Sequence, residues 1–189
     1  ANGDIATALP QTGPTTLQLN AQGNTKAISI ETLKLNLVNR PGELQATGSV
    51  DIENLAADIR ADWKSLAWPL TTEAAEFSSE KGELIFNGSM EDFVASLSAK
   101  LDGKQLLPLQ ASLKANGAGK QIHLSSLSLE GLENDLQLQA SGQFDIEQQR
   151  FSATGDWQSL AWPLKGEAQY ASPEGNFTEG KKPSPFMKV

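Results

Sequence analysis

No cysteine occurs in the 189 residues, so there is neither a disulfide framework nor a thiolate-bound metal, an absence that fits a cytosolic and a periplasmic protein equally. Histidine is nearly as scarce. His123 stands alone, and without a second histidine or a cysteine the common nucleophile–base dyads cannot be assembled. Basic charge is also short. The 15 lysines and arginines are outnumbered by 23 aspartates and glutamates, and the net charge of −8 argues against nucleic acid and against docking on an anionic membrane surface. No apolar run approaches the roughly 20 residues of a membrane-spanning helix. The start, Ala1-Asn2-Gly3-Asp4, lacks the charged and apolar regions of a signal peptide. On this reading the chain is either cytoplasmic or a fragment without its targeting segment. There is no Walker loop and no glycine-rich fingerprint between a strand and a helix, so nucleotide binding has no support. Aromatics are few, at 6%, which makes the four tryptophans conspicuous.

What is present is an internal repeat. Trp63-Lys64-Ser65-Leu66-Ala67-Trp68-Pro69-Leu70 returns 94 residues later as Trp157-Gln158-Ser159-Leu160-Ala161-Trp162-Pro163-Leu164. The same offset pairs Asp51-Ile52-Glu53 with Asp145-Ile146-Glu147, Leu33 and Leu35 with Leu127 and Leu129, Ile28 with Ile122, and Gly23 with Gly117. No gap is needed from residues 16–70 to 110–164. The segments read as a leading stretch at residues 1–14, a first β repeat at 15–107, a partial second repeat at 108–175, and a tail or linker at 176–189. A repeat of this length implies one extended architecture built twice, with function along a surface rather than in a single catalytic pocket.

The dominant period is two. Leu44, Ala46, Gly48, Val50 and Ile52 alternate with polar residues, and after a break Ala57, Ile59, Ala61 and Trp63 alternate with Asp58, Arg60 and Asp62, which predicts an antiparallel hairpin. The second copy repeats this with Leu136, Leu138, Ala140, Gly142, Phe144 and Ile146, then Phe151, Ala153, Gly155 and Trp157. The apolar phase slips by one residue after Ile30 and after Leu124, which predicts a bulge or bend in each copy, because a one-residue shift otherwise turns every side chain over. Turn sequences at Asn39-Arg40-Pro41-Gly42, Asp102-Gly103, Gly119-Lys120 and Glu133-Asn134-Asp135 make short connections and hence a meander. Residues 90–101 fit a helical stripe through Phe93, Val94, Leu97 and Leu101. They also fit a strand through Phe93, Ala95, Leu97, Ala99 and Leu101, which uses more of the apolar residues.

Little here points to catalysis. His123, aligned with Ser29, is expected on a solvent-facing strand position. Asp58 and Asp62 flank Arg60 in the alternation of a solvated face rather than as a buried acid–base pair. The tryptophans have two readings. In one, Trp63 and Trp68 bury aromatic surface at a hairpin corner while Pro69 stops the ladder. In the other, the indoles line a lipid-facing surface. Both hold if the inner face is a groove.

The repeated Asp-Trp-Lys/Gln-Ser-Leu-Ala-Trp-Pro-Leu, followed by Ser78-Ser79-Glu80-Lys81-Gly82-Glu83-Leu84 in one copy and Ser172-Pro173-Glu174-Gly175 in the other, resembles the periplasmic repeats of the TamB family, over about residues 15–175. These are the AsmA-like inner-membrane subunits of the translocation and assembly module of Gram-negative bacteria. The resemblance implies a long, curled, U-shaped, taco-like antiparallel sheet with an apolar concave face. It also implies full-length proteins anchored in the inner membrane, reaching through the periplasm to the outer-membrane barrel TamA, with this chain as an interior fragment. In such a bacterium the glycosylation sequons Asn87-Gly88-Ser89 and Asn176-Phe177-Thr178 are chance matches.

An antiparallel sheet with one apolar face and few helices to cover it must curl on itself, and incomplete closure leaves a greasy groove. The residues expected along it are Leu44, Val50, Ile52, Ile59, Trp63, Leu84, Phe86, Phe93, Leu97, Leu101, Leu138, Phe144, Ile146, Phe151 and Trp157. Two functions stay open. One is a non-enzymatic module that binds and conducts phospholipid acyl chains between the membranes, without cofactor or metal. The other is a chaperone or scaffold that captures strands of nascent outer-membrane proteins at its edges.

Overall fold

The computed structural model describes residues 2–9, 13–37, 41–69 and 75–180, with side chains from Thr15 to Thr178. Leu70, the Asn39-Arg40 half of one expected turn, and the tail from residue 181 onward lie outside the described residues. Twelve strands follow one another: β1 (Asn2–Leu9), β2 (Gly13–Gly23), β3 (Ala27–Leu37), β4 (Glu43–Asp51), β5 (Ala56–Trp68), β6 (Phe77–Ser89), β7 (Asp92–Gly103), β8 (Leu109–Ala118), β9 (Gln121–Gly131), β10 (Gln137–Asp145), β11 (Arg150–Trp162) and β12 (Tyr170–Gly180). Each pairs with its neighbours in chain order, giving one curled, unclosed antiparallel sheet with no helix among the described residues. The segment compatible with helix or strand is β7.

The register slips where the apolar phase slips. Asn20 pairs with Thr32 and Ala21 with Ile30, which leaves Glu31 as the extra residue of β3. In β9, Lys114 pairs with Ser126 and Ala115 with Leu124, which leaves Ser125. Beside each bulge the next strand carries a glycine, Gly48 opposite Ile30 and Gly142 opposite Leu124. Gly48 has φ +153°, and a Cβ there would run into the Asp58 carbonyl oxygen, so no side chain fits.

Backbone features recur at the sequence offset of 94. The bounds of β3, β4 and β5 reappear as those of β9, β10 and β11. Positive φ occurs at Leu55 and Gln149 and at Ser65 and Ser159, and cis peptides occur at Trp68-Pro69 and Trp162-Pro163.

Two boundaries differ from the sequence reading. β12 continues to Gly180, so Asn176 to Gly180 are strand rather than tail. Phe177 keeps the apolar phase there, opposite Gly155 and stacked on Trp157 at 6.5 Å, while the lysine- and proline-rich residues beyond it blur the strand end in sequence. The leading segment likewise contributes β1 and the start of β2.

The two rims of the sheet are built differently. From β2 onward, tight turns of two to four residues close one rim, whereas the five links from β3–β4 to β11–β12 at the other have five to eight residues. At the loop rim, adjacent links bond to each other: Lys104 donates its backbone N–H to Glu76 O at 3.0 Å and Leu132 donates to Pro108 O at 2.9 Å. A flat sheet would hold β7 and β11 about 19 Å apart. Curl and loop length together bring Lys165, just past β11, within 3.1 Å of Gly103 O at the end of β7.

Candidate functional site: an uncharged sheet face

Cross-strand partners share a face, so the register sorts every strand residue onto one side or the other. Leu44 pairs with Trp63, Val50 with Ala57, Ile59 with Phe86, Leu84 with Leu97, and Phe93 with both Gly88 and Gly117. Farther along, Leu101 pairs with Leu109, Leu138 with Trp157, and Phe144 with Phe151. Following the ladders from one pair to the next puts thirteen of the expected groove residues on one face. The other two, Ile52 and Ile146, sit in turns at the tight-turn rim, 42% and 48% exposed. Their backbone N–H groups bond to Lys26 O and Lys120 O, so they extend the apolar phase to the rim without being strand positions.

From Thr15 to Thr178 the strand positions of this face carry no Asp, Glu, Lys, Arg or His. The opposite face holds the charges. Arg60 pairs with Glu83 there, Lys100 with Glu80 at 3.2 Å, and His123 lies between Asn116 and Gln143. Its two large apolar exceptions are Ile85 and Val94. The apolar face has no second layer, since each described strand contacts only its ladder neighbours. Leu84 and Phe144 consequently remain 37% and 40% exposed, far more than residues of a closed core.

The aromatic rings lie along the sheet rather than standing off it. A Cβ on Gly82 or Gly175 would collide with the ring of Trp63 or Trp157, and one on Gly117 or Gly155 with Phe93 or Phe177. Each ring thus occupies the space its glycine leaves, which broadens the floor of the face. Phe86 and Phe93 add a stacked pair with centroids 5.5 Å apart.

The indole N–H, the polar liability of such a floor, is satisfied within it. Trp63 Nε1 donates to Ser79 Oγ at 2.8 Å, and Ser79 Oγ donates on to Lys81 O at 3.2 Å. Trp157 Nε1 does the same with Ser172 Oγ at 3.1 Å, and Ser172 with Glu174 O at 3.0 Å. These serines were not among the expected site residues. Their sequence distances from tryptophan differ, 16 and 15 residues, so only the strand register identifies them.

Trp68 corrects the sequence reading. It is 62% exposed, and Trp162 is 61% exposed, because each closes its ladder at the rim, opposite Phe77 and Tyr170, where no further strand residue covers it. Packing therefore describes Trp63 and Trp157, not the second tryptophan of each motif.

A pocket of about 520 Å³ opens at the loop rim, with Pro41, Leu66, Ala67, Leu101, Pro108 and Leu132 among its walls. A depression of about 700 Å³ lies against the polar side chains of Gln137, Gln139, Asp156, Gln158, Glu174 and Asn176, on the opposite face. Among the described residues no three acidic or histidine side chains converge as a metal site, and no helix is long and apolar enough to cross a membrane.

A family model described as "TamB, N-terminal domain" matches residues 51–148, just over half of the chain. No solved structure matches it.

Proposed function

The chain belongs to the TamB family, and on that premise we propose that its uncharged face binds phospholipid acyl chains and passes them along the strand-stacking direction through the periplasm. It would do so as a segment of the translocation and assembly module of a Gram-negative bacterium, linking an inner-membrane anchor to the outer-membrane barrel TamA. The observation that carries the reading is the uninterrupted lack of charge, from Thr15 to Thr178, on a strand face that no other described strand covers. A methylene left in water costs about 0.8 kcal/mol, so a sixteen-carbon chain costs roughly 12 kcal/mol, enough to forbid its free passage across an aqueous space. A half-exposed apolar floor removes most of that barrier. Each repeat of about six strands, spaced at about 4.8 Å, extends the path by roughly 29 Å, so the chain is a segment of a conduit.

The discriminating residues are neighbours on β7. Leu97 pairs with Leu84 and Leu113 on the apolar face, and Ser96 pairs with Ile85 and Lys114 on the other. A photo-crosslinker at Leu97 in the full-length protein in cells should capture phospholipid, and one at Ser96 should not. Leu97→Arg should impair lipid passage more than folding, since its long stem can carry the charge toward water. Equal capture at both positions, or none at Leu97, overturns the conduit. A second reading, in which strands of outer-membrane proteins add to the sheet, draws on the sheet's being unclosed.

A further inference from the structure

The two repeats present unlike polar faces. At the offset of 94, Glu31, Lys34, Glu43, Asp58, Arg60 and Lys64 of the first give way to Ser125, Ser128, Gln137, Ser152, Thr154 and Gln158 in the second, so hydroxyls and amides replace charge on β9, β10 and β11. The Arg60–Glu83 ion pair goes with them, because the residue after the glycine under the indole ring is Glu83 beside Gly82 but Asn176 beside Gly175. In the first repeat the carboxylates hold neighbouring amides. Asn20 and Gln22 donate to Glu31 at 2.6 and 2.9 Å, and Gln45 donates to Glu43 at 2.6 Å. Those carboxylates are missing from the second repeat, and Gln139, the counterpart of Gln45, has no side-chain hydrogen-bond partner among the described residues. The same is true of Gln137, Gln143 and Gln158. All four side chains share the polar face, where Gln137 pairs with Gln158, Gln139 with Asp156 and Gln143 with Ser152.

The same strands carry a continuous groove. Depressions of about 700, 530 and 470 Å³ lie on this face, the first two sharing Gln139 and Asp156 and the last two sharing Ser125, Ser141 and Thr154. From Asn116 on β8 to Asn176 on β12 the groove crosses four strand spacings, about 19 Å. Its walls hold no lysine or arginine, and Asp156 and Glu174 lie in its largest depression, so a phosphate chain finds no counter-charge. The side chains that the polar face lends it include no Trp, Tyr or Arg of the kind that anchors protein interfaces. What remains are groups that both donate and accept. Hydroxyls and amides do both, as sugar hydroxyls do, whereas a lysine only donates and a carboxylate only accepts. Replacing ions by such groups also removes the cost of desolvating charge against a neutral ligand. We propose that this groove binds a neutral linear glycan, with the free amides of Gln137, Gln139, Gln143 and Gln158 meeting its hydroxyls. The site lies on the reverse of the apolar floor and is independent of what that floor carries.

The probe is chitohexaose, which is neutral and carries both hydroxyls and amides. Titrated into the chain and followed by saturation-transfer NMR, it should bind with a dissociation constant on the order of 1 mM, as suits a site of exposed neutral hydrogen bonds. Gln139→Ala with Gln158→Ala should weaken binding roughly tenfold. Gln45→Ala, at the equivalent position of the first repeat, should leave it unchanged. Ser128→Lys with Thr154→Arg, which restores the charges of Lys34 and Arg60, should also weaken it roughly tenfold, since a neutral ligand would then have to desolvate ions. The first repeat carries both residues at those strand positions, and an unchanged β-sheet circular dichroism spectrum verifies the fold. A sulfated hexasaccharide should not bind, for want of cations in the groove. Five results overturn the proposal: no saturation transfer to chitohexaose, equal binding of the sulfated sugar, equal losses from Gln45→Ala and from the Gln139 and Gln158 pair, undiminished binding by the charge-restored variant, or equal binding of a short Ser- and Gln-rich peptide, which would make the groove a polypeptide site.

Discussion

At the loop rim, Leu37, Leu109 and Leu136 are 8%, 2% and 4% exposed; at the turn rim, Ile52, Leu55, Met90 and Ile146 are 42%, 71%, 77% and 48% exposed. The same sheet therefore ends in two unlike borders. Links of five to eight residues bond to one another along one border, and the deeply buried leucines lie beside them. Turns of two to four residues have no length to fold over the face, so the apolar phase runs out to the solvent. In a single-layer sheet the stabilising burial and the accessible greasy surface compete for the same residues. Here the loop rim holds both, its buried leucines beside the exposed rings of Trp68, Phe77, Trp162 and Tyr170, whereas at the turn rim no large apolar residue among those described is buried. Substitution of a buried leucine at the loop rim should accordingly cost more stability than substitution of an apolar residue at the turn rim.

The largest expected effect is Leu109→Ala. A buried leucine truncated in a site that cannot fully collapse costs about 2–5 kcal/mol. Ile146→Ala, at an exposed turn, should cost under about 1 kcal/mol. Urea unfolding of the two variants measures the difference directly, and equal losses would erase the distinction between the rims.

Next comes the floor between them. Gly82→Ala puts a methyl group into the ring of Trp63, and overpacking of this kind costs about 1–3 kcal/mol. In a Trp63→Ala background the same change should be neutral or favourable, because the obstructing ring is gone. Double-mutant-cycle melts provide the check. A cost that persists without the ring would mean that backbone constraint, not aromatic seating, selects glycine there.

What the sequence made legible, and what it did not, follows from the range of each interaction. The thirteen strand residues of the apolar face were readable because alternation is local: Leu44 and Val50 declare their side within one strand. The bulges at Glu31 and Ser125 were readable for the same reason, as phase slips. The glycine seats were not, since nothing local to Gly82 or Gly117 says which ring lies across the ladder. Ser79 and Ser172 were missed because their partners are 16 and 15 residues away and the interval is not conserved between copies. Trp68 misled because a tryptophan at a hairpin corner looks buried, whereas a ladder end has nothing beyond it. The function read for the apolar face, lipid conduction, came from resemblance and from the absence of charge together, and it rests on the crosslinking contrast at Leu97 and Ser96.

At the turn rim, backbone conformation sets a smaller effect of opposite sign. Leu55 holds φ 50° with its side chain largely in water, and Gln149 does the same at the corresponding turn. A side chain in the left-handed region costs about 1–2 kcal/mol, part of which is returned as the greater chain entropy of glycine. Leu55→Gly should therefore stabilise the protein by about 0.5–1 kcal/mol, measured by thermal melts. A loss of stability would show that Leu55 makes a contact worth more than its conformation costs, and the turn rim would then contribute burial after all.

The smallest effect distinguishes the two equivalent turns of that rim. Asp51 accepts the Asn54 side-chain amide at 2.8 Å and the Asn54 backbone N–H at 2.9 Å, while Asp145 accepts the Gln148 backbone N–H at 2.8 Å. The Asn54 side-chain bond, followed by its backbone bond, holds the Asp51 carboxyl below its ordinary value of 3.8. A depressed carboxylate pKa means that the folded state prefers the ionised form more than the unfolded state does. The stability it contributes is present above the ordinary value and is lost as pH falls through the folded value. Asp51→Asn should thus lower the melting temperature at neutral pH by less than any change above, and by more than Asp145→Asn, which gives up fewer bonds. The gap between wild type and Asp51→Asn should close as the solution is taken below the Asp51 pKa. A gap that stays constant throughout acidification would mean that the asparagine perturbs the turn by shape alone, and that the carboxylate charge plays no part in holding the β4–β5 turn.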